Sequence, residues 1–205
     1  MAATKSKGGK KHYYAHPKAL VDKGADIGKD TRVWAFAHVM AGASVGVACN
    51  VGETVFVEAG AVIGDRVTIK NGVQIWDGVI VEDGVFLGPN CTLTNHRDPR
   101  AFLKLPKQEW LYKTVLQEGC SIGANATIVC GNTVGRYAFV AAGSVVTKNV
   151  ADHAIVMGNP ARFYAWACRC GEKLKFSKTA AKCSRCGDKY TKSAGAASIK
   201  RVAAK

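Results

Sequence analysis

The chain has 205 residues, 48% of them hydrophobic, and a formal net charge of +14, which is enough apolar material for one sizeable core and a small appendage. No run of about 18 apolar residues occurs, which speaks against a membrane-spanning helix, and the lysines of MAATKSKGGKKH lead into no apolar stretch, so a secretory signal is not expected and a cytoplasmic protein is. The charge makes no case for nucleic acid, because it sits at the ends: residues 1–18 hold five Lys and no acid, residues 161–205 hold twelve Lys and Arg against two acids, and the stretch between them is close to neutral.

Residues 1–14 read as a basic, disordered tail. From Val21 an aliphatic residue then recurs every sixth position without a miss, through Ile27, Val33, Val39, Val45, Val51, Val57, Ile63, Ile69, Ile75, Val81 and Leu87 to Leu93. Four places after most of these stands a small or β-branched residue, among them Ala37, Ala43, Cys49, Ala61, Val67 and Cys91. A helix would need apolar spacings of three and four. A spacing of six with two inward positions gives one short strand and one corner per repeat, so that three repeats close a triangular coil and successive coils stack in parallel, about 4.8 Å apart. The glycines and asparagines between the repeats (Gly24, Gly42, Gly60, Gly72, Gly78, Gly84, Asn90 and Asn125) suit corners of positive φ. About six coils, roughly 30 Å tall, are expected. Cys49, Cys91 and Cys120 fall on the small inward position and read as inert core residues.

After Leu93 the repeat is suspended, and it resumes at Leu116, continuing through Ile122, Ile128, Val134 and Val140 to Val146. A solenoid insertion of this length protrudes from a corner and tends to carry function. This loop, residues 95–115, mixes Asn95, His96, Arg97, Asp98 and Arg100 with Phe102, Trp110 and Tyr112.

Residues 163–190 then carry Cys168, Cys170, Cys183 and Cys186, each pair followed by Gly, as C-x-C-G and C-x-x-C-G. Without a secretory signal a disulfide framework is not favoured, and four thiolates in two knuckles suit one tetrahedral, structural Zn²⁺. The segment holds few large apolar residues, so its folding is expected to depend on the metal, and chelation to disorder roughly residues 165–190 while the prism persists. Residues 191–205 read as a second basic, disordered tail. The histidines outside the insertion show no metal-ligand spacing, against a three-histidine zinc site of the γ-carbonic-anhydrase kind.

The repeat pattern resembles the left-handed β-helix acyltransferases. Within them the stretch KNGVQIWDGVIVEDGVFLGPNCTLTN, then DPRA, SIGANATIVCG, GRYAFVAAGSVVTKNV and GNPAR, over about residues 15–176, resembles the nucleotide-sugar N-acetyltransferases, most of all those acting on UDP-2-acetamido-3-amino-2,3-dideoxyglucuronate. The resemblance implies an all-β, left-handed parallel β-helix over residues 15–162 with the zinc-ribbon-like segment appended. It implies a homotrimer with active sites between prisms, and acetyl-CoA as the donor to the amine of a nucleotide-linked amino sugar. Carried over by position, Asn95 faces the acceptor amine, Arg100 meets the acceptor's charged groups, and Gln74 and Trp76 lie one coil below on the sugar or base. His96 is either a general base or a plain loop residue. Gly143 lets the pantetheine arm approach the backbone, and Lys148 and Arg162 meet the coenzyme phosphates. Because both precede the ribbon, coenzyme affinity is expected to fall only modestly when the metal is lost. Two other readings stay open at this stage: an O-acetyltransferase on a sugar hydroxyl, which would lean on His96 as a base, and a non-catalytic scaffold or polyanion-binding protein on the same prism.

Overall fold

The computed structural model describes residues 12–193 and 198–202. Two-residue strands alternate with corners, and each strand points its first side chain outward and its second inward, as with half-buried Phe56 and fully buried Val57. Three faces result. The first begins with Tyr14–Ala15 and Arg32–Val33 and ascends to Phe139–Val140 and Ala154–Met157; the second runs from Leu20–Val21 to Val145–Val146; the third runs from Asp26–Ile27 to Thr133–Val134. All pairing along these faces is parallel, and a residue meets its partner 18 positions on, as Ile69 meets Leu87. Past the insertion the offset becomes 35, with Leu87 on Ile122, and the stacking continues undisturbed. Six complete coils and part of a seventh form, as the repeat predicts.

The sixth-position aliphatics fill the prism: Val33, Val39, Val57, Ile69, Ile75, Leu87, Leu93, Leu116, Ile122 and Ile128 have no exposed surface. Cys49, Cys91 and Cys120 are buried beside them, and burial pushes the Cys91 and Cys120 thiols up to about 12. They are core atoms, not nucleophiles. The glycines that follow the aliphatics answer to close approach: a Cβ on Gly46 would stand 2.6 Å from the Gly64 carbonyl of the next coil. Positive φ is also adopted at corners by residues the composition did not flag, including Phe36, Ala48, Thr54, Arg66 and Tyr137, because the amide of each is held by the coil before (Phe36 N–H donates to the Lys18 carbonyl at 3.0 Å). Leu87→Ala, in the middle of this stack, is expected to cost about 2–5 kcal/mol in chemical denaturation, the cost of a core methyl cluster plus its cavity.

Three expectations need correction at the C-terminal end. The prism edge does not stop at residue 162: Arg162–Ala167 turns back antiparallel on Ala154–Met157 and extends the first face, with Lys173–Leu174 beyond it. Nor is the ribbon separate, since Trp166, Cys168, Leu174, Cys183 and Tyr190 belong to one continuous buried cluster with the prism aliphatics. Finally, the stretch from 191 is not wholly a tail. Lys200–Val202 pairs antiparallel with Lys189–Thr191, Ile199 is buried, and Arg201 Nε reaches Asp188 at 3.1 Å. An open strand edge, one buried isoleucine and one ion pair suffice to order it. Residues 1–11, 194–197 and 203–205, which the two expected tails include, lie outside the described residues, whereas Tyr14 already belongs to the first strand and packs edge-on to Trp34.

Candidate active site and metal centre

The insertion leaves the prism at the corner between the second and third faces, after Thr92–Leu93, and rejoins at Thr114–Leu116. Its base is closed by the Tyr112 amide, which donates to the Asn95 carbonyl at 2.9 Å, and by a bridge between His96 and Leu111. Asn95 is half-buried and its side-chain amide donates to the Asp77 carbonyl at 3.3 Å. Asp77 lies 18 residues earlier, one coil below on the same corner. Its amide donates to Glu58 Oε2 at 2.8 Å, from a further coil down, and its carboxylate pairs with Lys107 of the insertion's short helix, Lys107–Trp110. Asn95 is therefore held from below by the prism and from the side by the loop, with its side-chain oxygen left to accept a hydrogen bond.

His96 lies flat on Trp110, ring centroids 5.4 Å apart, and its Nδ1 is buried with no hydrogen-bond partner among the described residues. Together with Arg100 and Lys104 these two rings line a cleft of about 420 Å³ on the loop. Arg100 is exposed, bonded only to its own turn through the Pro99 carbonyl at 2.8 Å. Trp76 is half-buried against Phe56 at 5.6 Å, on the same corner as Asn95. Gln74 occupies an outward strand position between Phe56 and Thr92, its amide 3.4–3.5 Å from the Gly72 and Thr54 carbonyls. Asn95 and Trp76 thus share one corner, whereas the Gln74 amide turns the other way along its strand, towards Gly72 and Thr54, and Arg100 lies out on the loop with His96. Asp77, Lys107 and Trp110 are the members that sequence reasoning missed; for Asp77 the signal was available, since a coil of 18 places it directly beneath Asn95.

Two coils above Asn95, about 10 Å by strand spacing, the same corner carries Lys148. It shares a cleft of about 590 Å³ with Arg162. Gly143 does not join them. It lies at the preceding corner, between the first and second faces, at φ +68°, with no atom within 4 Å of where a Cβ would stand. Its surface is open, but on another edge of the prism.

The four ribbon sulfurs lie within 4.8 Å of one another, with Cys168 and Cys186 at 3.4 Å and Cys170 and Cys183 at 3.5 Å. A tetrahedral ion with bonds of about 2.3 Å needs sulfurs roughly 3.8 Å apart, so the donor set and spacing fit zinc. The Cys186 amide points at Cys183 Sγ from 3.5 Å and pulls that thiol down to about 6, whereas burial pushes the Cys168 and Cys170 thiols up. Tyr190 ties the centre to the prism: its hydroxyl is 3.2 Å from Cys168 Sγ, and its ring packs edge-on to His153, which stacks on Tyr137.

Two hexapeptide signatures match the chain, bacterial transferase hexapeptide (six repeats) over residues 60–95 and the hexapeptide repeat of succinyl-transferase over residues 115–148. The dTDP-3-amino-3,6-dideoxy-alpha-D-galactopyranose 3-N-acetyltransferase of Aneurinibacillus thermoaerophilus is 45% identical over 177 residues, 86% of this chain and 90% of that protein. The chain belongs to the hexapeptide-repeat nucleotide-sugar N-acetyltransferases. A hexapeptide-repeat acetyltransferase of Vibrio cholerae, solved with acetyl coenzyme A, aligns at 28% identity with a TM-score of 0.51, covering 58% of this chain and 67% of that one. The UDP-N-acetylglucosamine acyltransferase of Campylobacter jejuni, at 17% identity and a TM-score of 0.52 over 74% of each chain, shares the fold. Membership makes this chain an acyltransferase and sets aside a bare scaffold.

Proposed function

We propose that the chain transfers the acetyl group of acetyl-CoA to the amine of a nucleotide-linked amino sugar, a 3-amino sugar by likeness to the Aneurinibacillus enzyme, and does so as a cytoplasmic homotrimer with its sites between prisms. Among the described residues no helix is long and apolar enough to cross a membrane. The observation that carries the reading is the anchoring of Asn95: with its amide nitrogen engaged by Asp77, its oxygen is the fixed acceptor at the corner where the insertion opens. An acceptor there aligns the sugar amine, whose lone pair attacks the thioester carbonyl; the C–N bond forms, the C–S bond breaks and the thiolate leaves. The proton lost by the ammonium goes to that thiolate or to water, and no acyl-enzyme is required, since an amine is already nucleophilic once neutral. On this reading Gln74, Trp76 and Arg100 meet the sugar and its nucleotide, Lys148 and Arg162 the coenzyme phosphates, and Gly143, at the preceding corner, the pantetheine arm. Release of free thiol from acetyl-CoA with a panel of amino-sugar nucleotides tests this; acetylation of sugar hydroxyls with none of amines would overturn it.

His96 separates N- from O-acetylation. An alcohol needs a base, whereas an amine does not, and the His96 ring is committed to Trp110. His96→Asn should keep N-acetylation within about tenfold of wild type at neutral pH, short of the roughly 10²–10⁴-fold that general-base catalysis supplies. A loss of several orders of magnitude across the pH range would make His96 the base.

For the ribbon we infer one structural Zn²⁺ held by Cys168, Cys170, Cys183 and Cys186. Four thiolates leave no open position, so the ion organises the fold and takes no part in the transfer. Elemental analysis of protein purified without chelator should give one zinc per chain, and four titratable thiols in metal-free native protein would sink the assignment.

A further inference from the structure

The cleft holding Lys148 and Arg162 is walled on its far side by the ribbon. Lys192 lines it, carried just past Lys189–Thr191 and fixed by its own amide on the Thr179 carbonyl at 2.9 Å, with its ammonium 4.7 Å over the Phe176 ring. Phe163 and Trp166 complete the wall, ring centroids 4.7 Å apart, and Phe163 is 55% exposed. No carboxylate lines the cleft. The two acids of the ribbon are engaged elsewhere, Asp188 by Arg169 and Arg201 and Glu172 by Arg185, so among the described residues none of the three cleft cations has a carboxylate partner. Three uncompensated cations around an apolar floor with one exposed aromatic face suit a ligand that is both polyanionic and aromatic.

We propose that Lys192 is a third phosphate contact of acetyl-CoA and takes the 3′-phosphate at its adenosine end, with the adenine against Phe163, so that the cysteine ribbon forms one wall of the coenzyme cleft. This rests on the reading that Lys148 and Arg162 face the coenzyme. The polarity follows from the layout: the thioester has to reach the Asn95 corner, two coils below Lys148, so the opposite end of the coenzyme extends past the last coil towards the ribbon. Lys192 holds its place only while Lys189–Thr191 is held, and Tyr190 of that strand is seated on Cys168. Metal occupancy and coenzyme affinity are therefore linked through the 3′-phosphate, a coupling that the expectation from chain order, of only a modest fall in affinity, does not contain.

The test is calorimetric titration of CoA, and of dephospho-CoA, which lacks the 3′-phosphate, onto wild type, K192A, K192R, K148A and C183S. Lys192→Ala should weaken CoA about tenfold, the scale of one charge-assisted contact, and leave dephospho-CoA unchanged; Lys192→Arg should keep most of the difference between the two ligands. Cys183→Ser should abolish that difference as Lys192→Ala does. Equal weakening of both ligands by Lys192→Ala would overturn the 3′-phosphate assignment. Wild-type CoA binding by Lys192→Ala alongside weakened binding by Lys148→Ala would overturn the ribbon wall and leave the coenzyme cleft standing. Wild-type binding by both variants would remove the cleft reading itself.

Discussion

Asn95→Ala is expected to lower kcat/KM for the amino-sugar nucleotide by about 10²–10³-fold, the scale of removing one preorganised hydrogen-bonding group from an acyl-transfer site. The loss should fall mainly on kcat, because what disappears is the alignment of the amine and not the bulk of substrate binding. The side chain is half-buried and among the described residues is bonded only to the Asp77 carbonyl, so the fold and the proposed trimer should survive. Free-thiol release with saturating acetyl-CoA measures the effect, and size-exclusion chromatography checks the assembly. Asp77→Asn is the companion variant: it breaks the pair with Lys107 that ties the insertion to the prism, but keeps the backbone carbonyl that holds Asn95, and should cost less than Asn95→Ala. Wild-type turnover by the Asn95 variant would mean that the acceptor lies elsewhere.

Removal of the metal, by chelation or by Cys183→Ser, should have the largest effect on stability, and it should not stop at the ribbon. Metal binding supplies about 10–16 kcal/mol to small structural zinc sites, so their fold is contingent on it. Here the segment that the proposed zinc would hold includes Trp166, Leu174 and Tyr190, which are continuous with the prism core. Hydrogen exchange should rise over residues 162–191 and also in Ala154–Met157, the strand that Arg162–Ala167 covers, while the coils around Ile69 and Leu87 stay protected. Unchanged protection at Ala154–Met157 in metal-free protein would show that the ribbon is an independent appendage after all.

What could be read in the chain and what could not follow one physical distinction. The spacing of six states its own solution, because each repeat must bury the same two positions and only a stacked coil does so for all of them; from Val33 to Val146 the inward residues are those that the spacing names. The exit point of the insertion follows from where the repeat halts, and the cluster of four sulfurs follows from two glycine-terminated cysteine pairs. The coil length of 18 even specifies that Asp77 lies under Asn95, where its carbonyl accepts the Asn95 amide. The rest depended on contacts between segments with no common period. That Arg162–Ala167 folds back onto the last coil, that Lys200–Val202 finds an open strand edge, and that Lys192 arrives beside Arg162 are outcomes of non-repeating packing. Sequence by itself determined the prism, the place of its interruption and the cysteine set, because local chemistry repeated or clustered there. Which side chains meet at the two ends of the corner that carries Asn95 and Lys148 came from the tertiary structure alone, because those meetings are set by how the ribbon and the loop dock and not by any pattern along the chain.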